Sequence, residues 1–385
     1  MFTLVYGGMQ AFIAWRACRA FGWTGGRRRL AWGAAVVMTG LPFLVWWVER
    51  CNCGLLSAVY AALVYGWMGY AFLLFWLALL AALLGYLLRR FTGWTSRRGF
   101  LAAAGVAAGL SLWGVYAAWH PREVHVRIVS PQLPAEMGVL RVVQITDVHL
   151  GLTMGPRRLP TILDRVRALR PDVLISTGDL VDGRAHNVSA SAPLFAALRP
   201  RLGKYAITGN HEYYKGLQDA LRFHEAAGFK VLRAESRELF PGVYLAGVDD
   251  PGRAGSAAAS APAHLTDSTP LLRDLPQSAF VVFMKHQPIP PPGQADKVDL
   301  QLSGHTHGGQ IFPFLLLTYL KYDYGPGMHA LPGGGQMYVS RGAGTWGPPM
   351  RVFAPAEVTL FELVPARLAR AQPAGAQIGS PFSSR

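Results

Sequence analysis

Cysteine is almost missing: the chain has three, Cys18, Cys51 and Cys53, all before residue 54. Everything downstream can hold neither a disulfide framework nor thiolate metal ligands. Acidic residues are also scarce, with 22 Asp and Glu against 37 Lys and Arg in 385 residues and a formal net charge of +15. The shortage is greatest at the start, where residues 1–123 contain eleven arginines, two glutamates, and no lysine or aspartate. Positive charge therefore lies beside apolar sequence. The rest of the chain has no aromatic-interleaved basic stretch, so a membrane is the expected partner and nucleic acid is not. A hydrophobic content of 51% and a mean hydropathy of +0.23 are high for one soluble protein of this length, which has room for two or three domains.

Charge is absent from three long runs, Leu30 to Val48, Leu55 to Leu88 and Phe100 to Trp119. A hydrocarbon core about 30 Å thick needs roughly 20 apolar residues per helix, so each run is read as a membrane span. Met1 to Ala14 is apolar but short, with Arg16 and Arg19 at its end, and is either a fourth span or an interfacial helix. Residues 1–120 are thus expected to form a transmembrane anchor of three or four helices. Arg27, Arg28 and Arg29 form one basic cluster and Arg89, Arg90, Arg97 and Arg98 another, while the stretch from Glu49 to Gly54 has one base. Basic short loops stay cytoplasmic, so the last helix should run outward and export the chain beyond it. The string TSRRGFLAAAG, with Ser96, Arg97, Arg98, Phe100 and Leu101, reads either as a twin-arginine export signal or as the basic flank of a helix. Both readings place a multi-pass protein in a bacterial cytoplasmic membrane with its downstream domain outside.

From Val124 onward, short β-branched or apolar runs alternate with helical stretches, the pattern of an α/β domain. Leu140 to Ile145 reads as a strand ending at Asp147, Arg157 to Leu169 as a helix, and Asp172 to Ser176 as a strand ending at Asp179. Tyr205 to Thr208 leads into Gly209-Asn210-His211-Glu212, and Phe280 to Met284 leads into His286. Strands repeatedly deliver polar residues at their exits, where open α/β sheets bind ligands. The Ala, Ser and Pro content of Arg253 to Ser268 suggests a flexible surface loop, and residues 365–385 have the composition of a disordered tail. The catalytic domain is drawn over residues 124–364.

Phosphoester hydrolysis requires charge neutralisation on the transferred group, a hydroxide near neutral pH and a stabilised leaving oxygen. Two metal ions about 3.5–4 Å apart can supply all three, and such a site needs carboxylate and imidazole ligands. The chain offers Asp147-x-His149, Gly178-Asp179, Gly209-Asn210-His211-Glu212, Lys285-His286 and Gly304-His305-Thr306-His307 in that order. This series resembles the calcineurin-like metallophosphoesterase family over roughly Val142 to Phe361. The resemblance implies two β-sheets sandwiched by helices and a metal-activated hydroxide attacking phosphorus. It also implies that Asp147, His149 and His307 bind one metal, that Asn210, His286 and His305 bind a second, and that Asp179 bridges them. His211 resembles the family's non-ligand histidine, which contacts phosphate and protonates the leaving group. Glu212 stands where other members carry Asp. A ligand set of oxygen and imidazole nitrogen suits Mn²⁺, Fe²⁺ or Zn²⁺. The remaining histidines, His120, His125, His186, His224, His264 and His329, fall in no block. Asp182, Asp249 and Asp250 are read as supporting or loop-capping residues.

Gly304-His305-Thr306-His307-Gly308-Gly309-Gln310 and Gly247-Val248-Asp249-Asp250-Pro251, together with the helices, resemble the membrane-bound bacterial subfamily. The expected substrate is a phosphodiester, phosphomonoester or pyrophosphate, lipid-linked in keeping with the anchor. Some relatives cleave the pyrophosphate of UDP-2,3-diacylglucosamine in lipid A synthesis, a cytoplasmic substrate that conflicts with an exported domain. A membrane scaffold with a degenerate domain is the other alternative, and all seven ligand positions being filled argues against it. Ile311 to Leu320, IFPFLLLTYL, is too apolar for a free loop and belongs either to the core or against the bilayer beside the site.

Overall fold

The computed structural model describes residues 2–50, 54–88, 95–252 and 260–371. Four helices come first: α1 (Phe2–Phe21), α2 (Gly25–Arg50), α3 (Leu55–Leu88) and α4 (Ser96–Trp119). Three of them, α2, α3 and α4, are long and apolar enough to cross a membrane. The short apolar start continues through Arg16 and Arg19 to Phe21, because both guanidinium groups lie against the Trp15 ring, at 5.8 and 5.4 Å. Phe12 of α1 meets Phe75 of α3 edge-on at 5.1 Å, so α1 is part of the bundle. The 34 residues of α3 span about 51 Å at 1.5 Å per residue, about 20 Å more than the hydrocarbon core requires. Cys51, Cys53, Arg89 and Arg90 lie outside the described residues.

The rest is a sandwich of two six-stranded sheets. The strands are β1 (Arg122–Ser130), β2 (Leu140–Ile145), β3 (Val173–Thr177), β4 (Lys204–Ile207), β5 (Lys230–Val231), β6 (Glu235–Phe240), β7 (Val243–Gly247), β8 (Phe280–Met284), β9 (Leu300–Ser303), β10 (Gly327–Ala330), β11 (Gln336–Val339) and β12 (Glu357–Pro365). One sheet runs β1-β12-β2-β3-β4-β5, with β2 to β5 parallel; the other runs β10-β11-β9-β8-β7-β6, with β11, β9, β8 and β7 parallel. Parallel strands are covered on both faces, and β2 shows how. Leu140 and Val142 point between the sheets, where they meet Ile175, Ile207, Val282 and Leu302. Val143 and Ile145 point the other way, onto Ile162 and Val166 of helix α5 (Leu159–Ala168). A second helical layer covers the outer face of the other sheet through Leu272 and Leu275 against Val281 and Phe283.

Regular structure reaches further than the sequence reading at two places. A helical turn, Ala263–Thr266, lies within the segment expected to be a flexible loop, and Leu265 O accepts from Asp249 N at 2.9 Å, which ties the turn to the exit of β7. Residues 253–259 of that segment lie outside the described residues. Strand β12 runs through Pro365 in parallel register with β1, and a helix continues over Ala366–Ala371, so the first part of the expected tail is ordered by sheet pairing. Residues 372–385 are not among those described.

The catalytic domain rests directly on the helices. Met350, Val352 and Ile311 join a core cluster with Ala71 and Leu74 of α3 and Phe100, Ala103 and Ala107 of α4. Arg351 N donates to Gly114 O at 2.9 Å, and a Cβ on Gly114 would lie 2.8 Å from Val352 Cγ2. Ile311 therefore belongs to the core, whereas Phe312, Phe314, Leu316, Leu317 and Leu320 of the same apolar stretch are exposed. Gly114→Val overpacks this seam and is expected to destabilise the full-length protein by about 1–3 kcal/mol, read as a lower unfolding temperature in detergent.

Candidate metal centre

Six strand exits converge at one end of the sandwich. The first sheet supplies Asp147 and His149 after β2, Asp179 after β3, and Asn210 and His211 after β4; the second supplies Asp249 and Asp250 after β7, His286 after β8, and His305 and His307 after β9. Because β2, β3 and β4 run parallel to one another, as do β7, β8 and β9, their carboxyl ends form a single crevice.

The exits are sharply bent. Asp147, His149, Asp179, His305 and His307 all have φ between 51° and 70°, so five of the nine non-glycine residues with positive φ among those described are expected ligands. Left-handed backbone costs an L-residue roughly 1–2 kcal/mol, and such strain concentrates at functional sites. Glycines make room beside them: a Cβ on Gly209 would fall on the Asp179 carboxylate, and one on Gly304 would fall on that of Asp147.

Three groups of donor atoms lie close enough to share a cation, each within 4.8 Å: Asp147, His149 and His307; His149, Asp179 and His211; and Asp179, His286 and His305. His149 Nε2 and His307 Nε2 are 2.9 Å apart, and His307 Nε2 lies 3.6 Å from Asp147 Oδ1. On the other side His286 Nε2 lies 3.2 Å from Asp179 Oδ2 and 3.1 Å from His305 Nδ1. His286 Nδ1 donates to Thr177 O at 2.8 Å, which turns Nε2 toward the centre, the orientation found in metal-binding histidines. Asn210 Oδ1 is buried and accepts no hydrogen bond. Clustered imidazole and carboxylate donors with an orphaned amide oxygen fit divalent metal ions.

Electrostatics agrees. Burial opposes ionisation of Asp179, but the charges of His286 and then His211 outweigh it and hold this carboxyl well below the ordinary range. Burial and the neighbouring His286 push His305 down to about 3, and burial followed by His149 and Arg351 pushes His307 down, so both imidazoles keep lone pairs available. Asp147 is held in place by His305 N at 3.0 Å and Thr146 Oγ1 at 2.9 Å.

His211 stands to one side. Its backbone N donates to Asp179 Oδ1 at 2.9 Å, and its Nδ1 lies 2.7 Å from Asp182 Oδ1. Burial pulls the imidazole down, but Asp182 and then Asp179 more than reverse this and raise it to about 9. The Glu212 carboxylate accepts from Asp179 N, Val181 N and Gly209 N at 2.8–3.1 Å and so bolts two strand exits together.

Asp182, Asp249 and Asp250 do take supporting places. Asp182 orients His211, Asp249 accepts from Thr208, Tyr213 and Arg233, and Asp250 accepts from Gln287 and Gly252. Among the described residues, none of the six other histidines joins a cluster. Arg351 had no signal in the sequence. Fully buried, it donates to the carbonyls of His307, Arg341 and Gly344 at 2.6–3.0 Å and so clamps the last ligand loop.

Residues 140–309 match the family described as "Metallophos: Calcineurin-like phosphoesterase". An "Uncharacterized metallophosphoesterase" of Aquifex aeolicus (strain VF5) is 38% identical over 228 residues, covering 58% of this chain and 85% of that protein. The chain belongs to the calcineurin-like metallophosphoesterase family. This metallophosphoesterase is also 31% identical over 296 residues to the "Uncharacterized metallophosphoesterase YkuE" of Bacillus subtilis (strain 168), covering 70% of this chain and 97% of that protein. A "Transmembrane protein with metallophosphoesterase domain" of Danio rerio is 32% identical over 265 residues, 66% of this chain, which spans 60% of that protein's length. Family membership and the clustered donors make the chain a phosphoesterase that binds divalent metal, and the apolar helices make it a membrane protein.

Since Asp179 belongs to two of the three donor groups, its loss should empty more than one ligand shell. Asp179→Asn is expected to lower the divalent metal content measured by elemental analysis and to reduce turnover below about a tenth of wild type at saturating metal. Retained metal with higher activity would contradict a bridging role.

Proposed function

We propose that this metallophosphoesterase hydrolyses a lipid-linked phosphoester at the outer face of the cytoplasmic membrane, using two divalent ions. The observation that carries the reading is the position of Asp179 between the Asp147, His149, His307 group and the His286, His305 group. One ion would be held by Asp147, His149 and His307 and the other by Asn210, His286 and His305, with Asp179 shared. Bound there, divalent ions supply neutralisation of phosphate charge and acidification of water. Mn²⁺, Fe²⁺ and Zn²⁺ are the ions that suit this donor set.

The chain's own contribution to bond breaking is His211. At neutral pH, with its affinity for protons raised to about 9, it carries a proton to give to the departing oxygen. The 2.7 Å contact with Asp182 fixes which nitrogen is committed to the protein and leaves Nε2 for the substrate. Glu212 and Arg351 keep the ligand loops in register without touching the reaction.

The lipid link is supported by the exposed apolar ledge Phe312 to Leu320, which comes after the GHTHGGQ motif and meets Phe72 of α3 through Phe314 at 6.5 Å. The outer location is supported by the polarity of the bundle. Arg97 lies over the Phe21 ring at 5.7 Å, so the start of α4 and the end of α1 meet at the basic end, while the Gly114 end of α4 meets the catalytic domain. Basic loops kept in the cytoplasm put that domain on the far side.

Exhaustive chelation should abolish phosphate release by the full-length protein in detergent, and Mn²⁺ should restore it; full activity with metal content near zero would defeat the reading. Because His211 must be protonated to act, turnover of a substrate with a poor leaving group should fall as pH rises through about 9. Asp182→Asn removes the strongest charge that raises the imidazole, so this fall should begin at lower pH. Fusions after residue 125 report the side: alkaline phosphatase should be active there and an exported, unfolded green fluorescent protein dark, and the reverse pattern would place the site inside.

A further inference from the structure

A cavity of about 160 Å³ adjoins the metal centre, and its two sides come from different parts of the chain. His211, Asp182 and Lys215 of the catalytic domain line one side; Val45 and Glu49 of α2 and Tyr65 of α3 line the other. The cavity lies on the His211 side of the centre. A group placed to protonate the leaving oxygen has the leaving group beside it, so the part of this space between His211 and the helices is where a departing alcohol would lie, with His149 marking the side next to the metal centre. Its volume admits a headgroup of roughly glycerol size.

Glu49 is the one acidic residue among residues 1–122. A carboxylate at the end of an apolar helix is costly unless paired, and such residues are usually functional. Glu49 is 6% exposed, and its Oε2 accepts from Lys215 Nζ at 3.0 Å. Lys215 Nζ also lies 3.8 Å from Asp182 Oδ1, the atom in contact with His211. A continuous series of charges, Glu49, Lys215, Asp182 and His211, therefore runs from a membrane helix to the proton donor. The end of α2 is held in place from the catalytic side too, since Glu49 O lies 3.1 Å from His186 Nε2 and Leu152 packs on Val45. Leu44 and Trp47 of α2 and Leu56 and Val59 of α3 are exposed on the same two helices, apolar side chains that acyl chains can cover.

We propose that α2 and α3 form the outer half of the substrate pocket, with Tyr65 and Glu49 determining specificity for the polar leaving group of a membrane lipid phosphate. The hydroxyl-bearing end of the lipid occupies the cavity between Tyr65 and His211, and its chains stay against the helices. The assignment rests on the hydrolytic reading above.

The test uses full-length protein with phosphatidic acid in phosphatidylcholine vesicles, glycerol 3-phosphate as the same ester without chains, and p-nitrophenyl phosphate as a generic ester. Wild type should favour phosphatidic acid over glycerol 3-phosphate in kcat/KM by about a hundredfold. Tyr65→Ala should raise KM for phosphatidic acid about tenfold with kcat changed less than about threefold, the signature of lost substrate binding, and Glu49→Gln should raise that KM by a similar factor. Tyr65→Phe, which keeps the wall, should recover most of that loss. Metal content and unfolding temperature equal to wild type show that the variants are folded. Equal use of glycerol 3-phosphate and phosphatidic acid by wild type, or an unchanged KM in both folded variants, would overturn the proposal. Wild type that turns over none of the three, p-nitrophenyl phosphate included, would remove the hydrolytic reading and this assignment with it.

Discussion

A carboxylate buried without countercharge is among the most expensive things a fold can contain, and Asp179 is 2% exposed at the centre of the crevice. Much of the domain's architecture comes from keeping that group ionised. Histidines from both sheets must face it, which requires the strand exits of β2, β4, β8 and β9 to meet at one point. Meeting so closely bends the backbone into left-handed geometry at residues that have side chains, and it leaves no space for a Cβ at Gly209 or Gly304. Glu212 then secures the backbone of Asp179 itself, at 3.1 Å from its N–H. The strain and burial are tolerable only because packed sheets on both sides hold the exits in place.

This explains why the centre could be read from sequence while its supports could not. Ligands must be Asp, Asn or His, and they follow strand exits, so residue type and position are both constrained. Asp147, His149, Asp179, Asn210 and His286 follow strands marked by apolar sequence, whereas His305 and His307 follow β9, where Gln301 and Ser303 hide the strand and the Gly-His-Thr-His pattern alone marks the place. Arg351 is under no such constraint, because it acts mainly on backbone carbonyls, which have no residue type, with one further contact from Nη2 to His307 Nδ1 at 3.2 Å. Nothing in the pattern Met-Arg-Val-Phe-Ala marks it. Asp182 was visible as an acid near a ligand, but its pairing with His211 depends on how the β3 exit turns relative to the helix Asn210–Lys215.

The three charge-free runs were legible as long helices, but charge set the limits of α3 alone: α2 takes in Arg27, Arg28, Arg29, Glu49 and Arg50, and α4 takes in Arg97 and Arg98. The end of α1 was likewise not foreseen, because Arg16 and Arg19 are absorbed by the Trp15 ring. The apolar run after the GHTHGGQ motif divided for a similar reason. Ile311 turns inward between Met350 and the helices, and its neighbours stay outside, a split that composition cannot anticipate.

The seam between helices and catalytic domain bears on how the two parts cooperate. A tether needs only length, and residues 120–123 would suffice for one. Here Gly69 and Gly114 instead let α3 and α4 approach Met350 and Val352 to contact distance, the use that small residues have between membrane helices. Arg351 donates side-chain bonds to the loop carrying His307 while its own backbone N–H bonds to Gly114 O of α4. One residue thus links a membrane helix to a ligand loop through hydrogen bonds at its two ends. A shift of α4 relative to the sandwich would have to move Arg351, and Arg351 cannot move without releasing the carbonyl of His307. In this chain the helical bundle is mechanically part of the metal centre, and the position of the site relative to the bilayer is set by the same contacts that hold its ligands.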